Sequence, residues 1–282
     1  MPPAFDTMLG IPPDRDNWQA AFGTLLRDAD SARLRQPAGY MFKGLPEVDE
    51  ASYAEVLLAE MDRWDIEHGM LPVRFADGDL GRELVEAHPD RFVGEYVVDP
   101  NRGVDAVRDL RRAVRELGVR AASCFPCGTN PLVAIDDAKM YPLYAACVEL
   151  GIPFFVNAGV PGPRVPMWPQ EVRRLDEVCY DFPELVLVTR HGCEPWTALA
   201  VKLLLKWPGL HYSTSAFAPK HYPRDIIDYA NTRGAEKVLY AGYFPYGLTL
   251  ERIFTELPSV PLKDDVRPRF LAGNARRILG LD

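Results

Sequence analysis

The residues best placed to do chemistry gather around His191. In LVLVTRHGCEPW, residues 185–196, an apolar, β-branched run meets a His-Gly corner, and Cys193-Glu194-Pro195-Trp196 then opens a helix. An imidazole at the end of a buried strand points into a pocket more often than into a core, and its ordinary pKa near 6.5 suits acid or base work at neutral pH. Other apolar runs also end in polar groups. Asn157 and Tyr243 could polarise a carbonyl, Asp6 could support them as a carboxylate, and Met8 stands beside Asp6. Glu194, three residues after His191, could orient or charge the ring, or simply satisfy a helix dipole. Arg74, Arg164, Lys220 and His221 fall on connecting loops, where a cation suits a substrate carboxylate or phosphate.

The elements that must carry these residues alternate regularly. Strands are expected over residues 4–9, 66–73, 91–98, 119–125, 153–158, 185–190, 210–216 and 237–241. Helices are expected over 52–64, 80–87, 104–117, 139–150, 170–180, 196–207, 223–233, 250–257 and 266–279. Ser52 with Glu55 reads as a capping box and Gly118 as a C′ glycine. Residues 11–50 form a long insertion after the first strand, with one helix expected over 18–29. Eight strands, all but the first followed at once by a helix, predict an α/β fold, a (β/α)8 TIM barrel with a C-terminal helix. The apolar runs suit strands covered on both faces. A doubly wound open sheet is the alternative, but DTMLGIPP after the first strand lacks the glycine pattern of a dinucleotide turn. In a barrel the strand ends share one pocket, and an insertion after strand 1 can act as a lid over it, with Trp18, Tyr40, Phe42, Met167 and Trp168 as apolar cover. His68, His88 and His211 fall at the opposite ends and read as structural.

Composition narrows the partners. The 282 residues are 48% hydrophobic and carry a net charge of −8, so a single domain has ample core, and phosphate backbones are repelled overall, with no basic stripe to offset that. No nucleic-acid partner is expected. The chain has no run of about 18 apolar residues and no basic-then-apolar start, so no membrane partner is expected and a cytoplasmic location is. Five cysteines in a chain of this length fit reduced thiols. Cys124-Phe-Pro-Cys127 has the spacing of a redox pair but runs off a strand end without a helix N-terminus to stabilise a thiolate. Cys193 beside His191 is the other candidate thiol.

The strand-5 end FFVNAG, the strand-6 end RHG, the segment KVLYAGYFP and the terminal NARRILGL together resemble the amidohydrolase-related (amidohydrolase 2) family of metal-dependent hydrolases and decarboxylases over nearly the whole chain. The resemblance implies a metal site built from Asp-x-His-x-His on strand 1, histidines ending strands 5 and 6, and an Asp in a Gly-Ser-Asp-(Tyr/Phe)-Pro segment at strand 8. On this sequence Asp6 is kept, Met8 and Gly10 stand for the two histidines, Asn157 for the third and Tyr243 for the Asp, leaving His191. One imidazole with a thioether, an amide and a phenol falls short of the three protein ligands of a catalytic zinc site. The expectation is therefore no metal and no cofactor. The corresponding function is a metal-independent hydrolase or carbon–carbon lyase, decarboxylase-like, on a small carbonyl- or carboxylate-bearing organic acid, with His191 as general acid or base. The alternative is a non-catalytic barrel that binds a ligand or a partner chain. Barrels of this type often dimerise, which leaves a homodimer open.

Overall fold

The computed structural model describes residues 1–12, 22–34 and 36–281. Eight parallel strands pair in chain order: β1 (Ala4–Asp6), β2 (Ile66–Val73), β3 (Phe92–Val97), β4 (Ala121–Cys124), β5 (Phe154–Asn157), β6 (Leu187–Arg190), β7 (Leu210–Ser213) and β8 (Val238–Leu239). Between them run α1 (Tyr53–Arg63), α2 (Leu80–Ala87), α3 (Val104–Leu117), α4 (Tyr141–Leu150), α5 (Leu175–Asp181), α6 (Thr197–Lys206) and α7 (Arg224–Ala230). After β8 come α8 (Leu250–Glu256) and α9 (Asn274–Leu279). This is the expected barrel order. Among the described residues no helix is long and apolar enough to cross a membrane.

The period of two along each strand sorts side chains into two sets. Leu71, Phe92, Phe154, Leu187 and Tyr212 face the helices in the large outer core. Phe5, Met70, Val93, Ala121, Phe155, Val188 and Leu239 form a separate inner cluster, closed from below by Ala275, Ile278 and Leu279 of α9. Moving two residues along these inward positions turns the interior polar, at Glu95, Ser123, Asn157 and Arg190, and these four line a cavity. The sheet thus has an apolar floor and a polar storey above it.

The seam between the first and last strands is fastened largely by side chains. Asp6 is fully buried; its carboxylate accepts from the backbone N–H of Gly242 at 2.8 Å and from the Tyr240 hydroxyl at 3.2 Å, while the Thr7 hydroxyl donates to the Tyr240 carbonyl at 2.9 Å. Asp6 also accepts from Met8 N at 2.9 Å, a local turn that ends β1 three residues earlier than expected. A Cβ on Gly242 would stand 2.4 Å from the Asp6 carboxylate. Burial raises the Asp6 pKa against the opposing pull of those hydrogen bonds.

Several element ends differ from the sequence expectation. Ser52 makes no capping bond; Asp49 does, accepting from Ala51 N. The helix expected over 170–180 is broken into short 3-10 turns before α5 where Glu171 leaves the helical region, at φ −59° and ψ 125°; the buried Gln170 side chain before it donates to the Gly159 carbonyl and accepts from Cys127 N. The terminal helix opens with a π-helical stretch, Arg269–Gly273, and Asn274 donates to the carbonyls of Ala235 and Val238, each at 2.9 Å. That bond ties α9 to β8 and gives the terminal Asn-Ala motif a structural task. The helix expected over 18–29 begins outside the described residues, as does Trp18; residues 23–29 are not helical.

Candidate active site at the strand ends

The cavity, about 1190 Å³, opens at the carboxyl ends of the strands. Its wall includes His191, Asn157, Tyr243, Met8, Glu194, Arg74, Lys220 and His221 from the sequence reading, together with Arg190, Glu95, Tyr246 and Lys43, which that reading did not single out.

His191 is presented by a run of left-handed backbone: φ is +65° at His191, +85° at Gly192 and +57° at Cys193. Such φ values in non-glycine residues are strained and need surrounding contacts to hold them. Here His191 N donates to the Ser215 hydroxyl at 3.1 Å, Cys193 N to the Ala158 carbonyl and the Tyr212 hydroxyl to the Gly192 carbonyl. Only glycine fits at 192, since a Cβ would lie 2.3 Å from the Phe217 ring. The imidazole Nδ1 lies 3.0 Å from the same Ser215 hydroxyl. Ser215 Oγ already accepts from His191 N and, at 3.4 Å, from Ser213. A Ser215 hydrogen turned to Nδ1 would leave the proton of the neutral ring on Nε2. The ring meets the edge of Tyr243, centroids 5.1 Å apart.

Desolvation, reinforced by the Arg190 guanidinium, pushes the His191 pKa down to about 3. The imidazole is accordingly neutral at pH 7. In a pH titration followed by NMR, the His191 ring signals are expected to stay flat from pH 8 to 5; an inflection near 6.5 would contradict this environment. The unfolded chain does protonate this histidine near 6.5. Because its folded pKa is lower, its contribution to stability is complete above that value and is lost as pH falls from about 6.5 toward 3. Burial likewise pushes the Tyr243 hydroxyl up, keeping it a donor.

The remaining candidates divide. Asn157, buried, and Met8, half-buried, reach the cavity. Arg74 and His221 stand exposed on the wall, and Lys220 lies 3.5 Å from Glu256. Two of the named residues lie off the wall. Asp6 lies behind the wall, spent on the β1–β8 seam. Arg164 is also absent from the wall; it pairs with Asp28 at 2.7 Å and stacks over Tyr40 at 4.6 Å. Glu194 is exposed on the wall, but Ser215, not Glu194, takes the imidazole nitrogen. The cysteines are all buried, and burial pushes Cys127 and Cys193 up to about 12, so neither is a thiolate at neutral pH. His68 stacks on Phe5, and His211 Nδ1 bonds the Gly209 carbonyl, both at the far ends of their strands.

Part of the insertion forms the outer wall. Gln36 donates to the Tyr246 carbonyl, Tyr40 to the Gly162 carbonyl at 2.7 Å, and the Phe42 ring lies 5.5 Å from Tyr243.

A polar pocket framed by strand ends of a (β/α)8 barrel defines the class of protein. The chain belongs to the amidohydrolase family, whose model matches residues 27–281. Solved structures of similar fold include an uncharacterised TIM-barrel protein from Bordetella bronchiseptica, 23% identical with a TM-score of 0.74, covering 99% of this chain and 98% of that one. A 2,6-dihydroxybenzoate decarboxylase in complex with 2,6-dihydroxybenzoate is 17% identical with a TM-score of 0.69, covering 100% of both chains. A 5-carboxyvanillate decarboxylase from Sphingomonas paucimobilis is 19% identical with a TM-score of 0.68, again covering 100% of both. At these identities the likeness is one of fold. No curated protein matches the chain.

The residues present do not fit the family's metal. Among the described residues no group of three or more His, Cys, Asp or Glu is placed to hold an ion. The space beside Gly10 is filled: a Cβ there would stand 2.3 Å from the Tyr246 ring, whose hydroxyl accepts from Ile11 N at 3.2 Å. Glu95, a carboxylate on the cavity wall, is engaged at both oxygens by Arg190.

Proposed function

We propose that this barrel is a metal-independent enzyme acting on a small carbonyl- or carboxylate-bearing organic acid, with loss of CO2 from a hydroxylated aromatic acid as the favoured reaction over hydrolysis. The observation that carries the reading is the convergence of His191, Tyr243 and Asn157 on one cavity. Hydrolysis asks for a base matched to neutral pH to activate water. An imidazole held down to about 3 is poorly matched to that task. A bound carboxylate, however, raises the pKa of an adjacent imidazole. His191 would take up a proton only in the complex and pass it to the ring carbon bearing the carboxylate. The carbon–carbon electron pair then returns to the ring, CO2 leaves and the imidazole is neutral again. Tyr243 and Asn157 would donate hydrogen bonds to the substrate oxygens on which charge changes.

The test is CO2 release from a panel of hydroxybenzoic acids by wild type and His191→Asn. Loss of turnover by about 10²-fold or more, with an unchanged thermal midpoint, is expected for a proton-transfer group; full activity in the variant rejects the assignment. The same low pKa in the free protein favours a second reading, a non-catalytic ligand-binding barrel. Tight binding of an acid without turnover would select it.

A further inference from the structure

Arg190 and Glu95 are 3% exposed, yet both reach the cavity wall. Arg190 ends β6 and Glu95 lies in β3, so their contact spans the barrel interior. The guanidinium donates to both Glu95 oxygens, at 3.1 and 2.8 Å, and to the Thr7 carbonyl at 3.0 Å, and its central carbon lies 4.6 Å over the Phe155 ring. A guanidinium has five N–H hydrogens; Glu95 and Thr7 take three. Of the two left over, the Nε–H is sealed from the cavity and has no partner among the described residues, so the second hydrogen of Nη1 is the donor left for a ligand.

We infer that Arg190 is the anion-holding, specificity-determining residue of this cavity: its fixed guanidinium takes the carboxylate of the organic acid. The inference rests on the reading of the cavity as a site for such an acid. Asn157 is the register partner of Arg190 on β5 and His191 is the next residue, and both line the same cavity. Three protein acceptors hold the group in place before any ligand arrives, so binding costs no side-chain ordering. The Arg190–Glu95 pair is neutral as a unit and supplies direction more than charge. Long-range attraction comes from Arg74 and Lys43, exposed on the wall with no ion-pair partner among the described residues.

Calorimetric binding of 2-hydroxybenzoate and of its neutral analogue 2-hydroxybenzamide tests this. The variant E95M/R190M removes both charges together, so no lone charge is left buried. Wild type is expected to prefer the acid. The double variant should bind the acid about 10- to 100-fold more weakly, the worth of a hydrogen bond to a charged group, with affinity for the amide unchanged. Equal affinity of wild type for acid and amide, no binding of either, or undiminished binding of the acid by the double variant would overturn the inference. If the preference for the acid depends on Arg190 but no acid is turned over, the catalytic reading fails and the anion site stands.

Discussion

Arg190→Met is expected to destabilise the protein by about 3–5 kcal/mol, the penalty for breaking a buried ion pair from one side. Glu95 is 3% exposed and its two oxygens face the guanidinium, so removing Arg190 leaves a carboxylate with neither water nor counter-charge. For a domain of this size the thermal midpoint should fall by about 6–20 °C. Replacing both partners, in E95M/R190M, should restore most of the loss, since apolar side chains of similar volume are often as good as a buried pair. Thermal denaturation of both variants checks the pattern. A single variant as stable as wild type would mean the pair is open to water.

Met8→His with Gly10→His, which returns the two strand-1 imidazoles of the family pattern, is expected to unfold the first strand before it creates a metal centre. The Gly10 backbone is clamped: its N–H donates to the Phe244 carbonyl at 2.8 Å and its carbonyl accepts from the buried Tyr53 hydroxyl at 2.6 Å. The Tyr246 ring occupies the position of any side chain there, with its Cε2 and Cζ at 2.3 and 2.4 Å from an ideal Cβ. Overpacking by the first methyl alone costs about 1–3 kcal/mol, and an imidazole costs more. Adding Tyr246→Ala should relieve the clash and recover stability. Even then, strands 5 and 8 still offer Asn157 and Tyr243. Elemental analysis after exposure to zinc is expected to find no stoichiometric metal in wild type or in M8H/G10H. One equivalent of zinc in M8H/G10H at wild-type stability would show the position to be open.

These two expectations turn on residues whose importance the chain order conceals. Glu95 sits inside FVGEYVVD, where the polar end of the run, Asp99, draws the eye; Asp99 instead caps a turn by accepting from Asn101 N. A signal was present. Glu95 shares the inward parity of Val93, and Arg190 that of Val188, so two opposite charges at inward positions of different strands could have been paired. Nothing comparable announced Tyr246. It reaches Gly10 across more than two hundred residues, and a glycine in DTMLGIPP reads as a turn. Asp6 makes a related point: a carboxylate at a strand end looks catalytic until the strand on the other side of the seam is in place and takes its oxygens.

What the sequence determined by itself is the barrel and its eight strands, and it named His191, Asn157 and Tyr243 as strand-end groups that the cavity wall includes, because local periodicity and strand-end position survive without knowledge of neighbours. What only the tertiary structure decided is which polar groups are free to act. Ser215 holds the imidazole, Arg190 and Glu95 spend most of their charge on each other, Asp6 fastens the seam and Tyr246 fills the space beside Gly10. Hydrogen bonding and desolvation depend on distances between segments far apart in the chain, and those distances exist only once the strands have closed around a common interior.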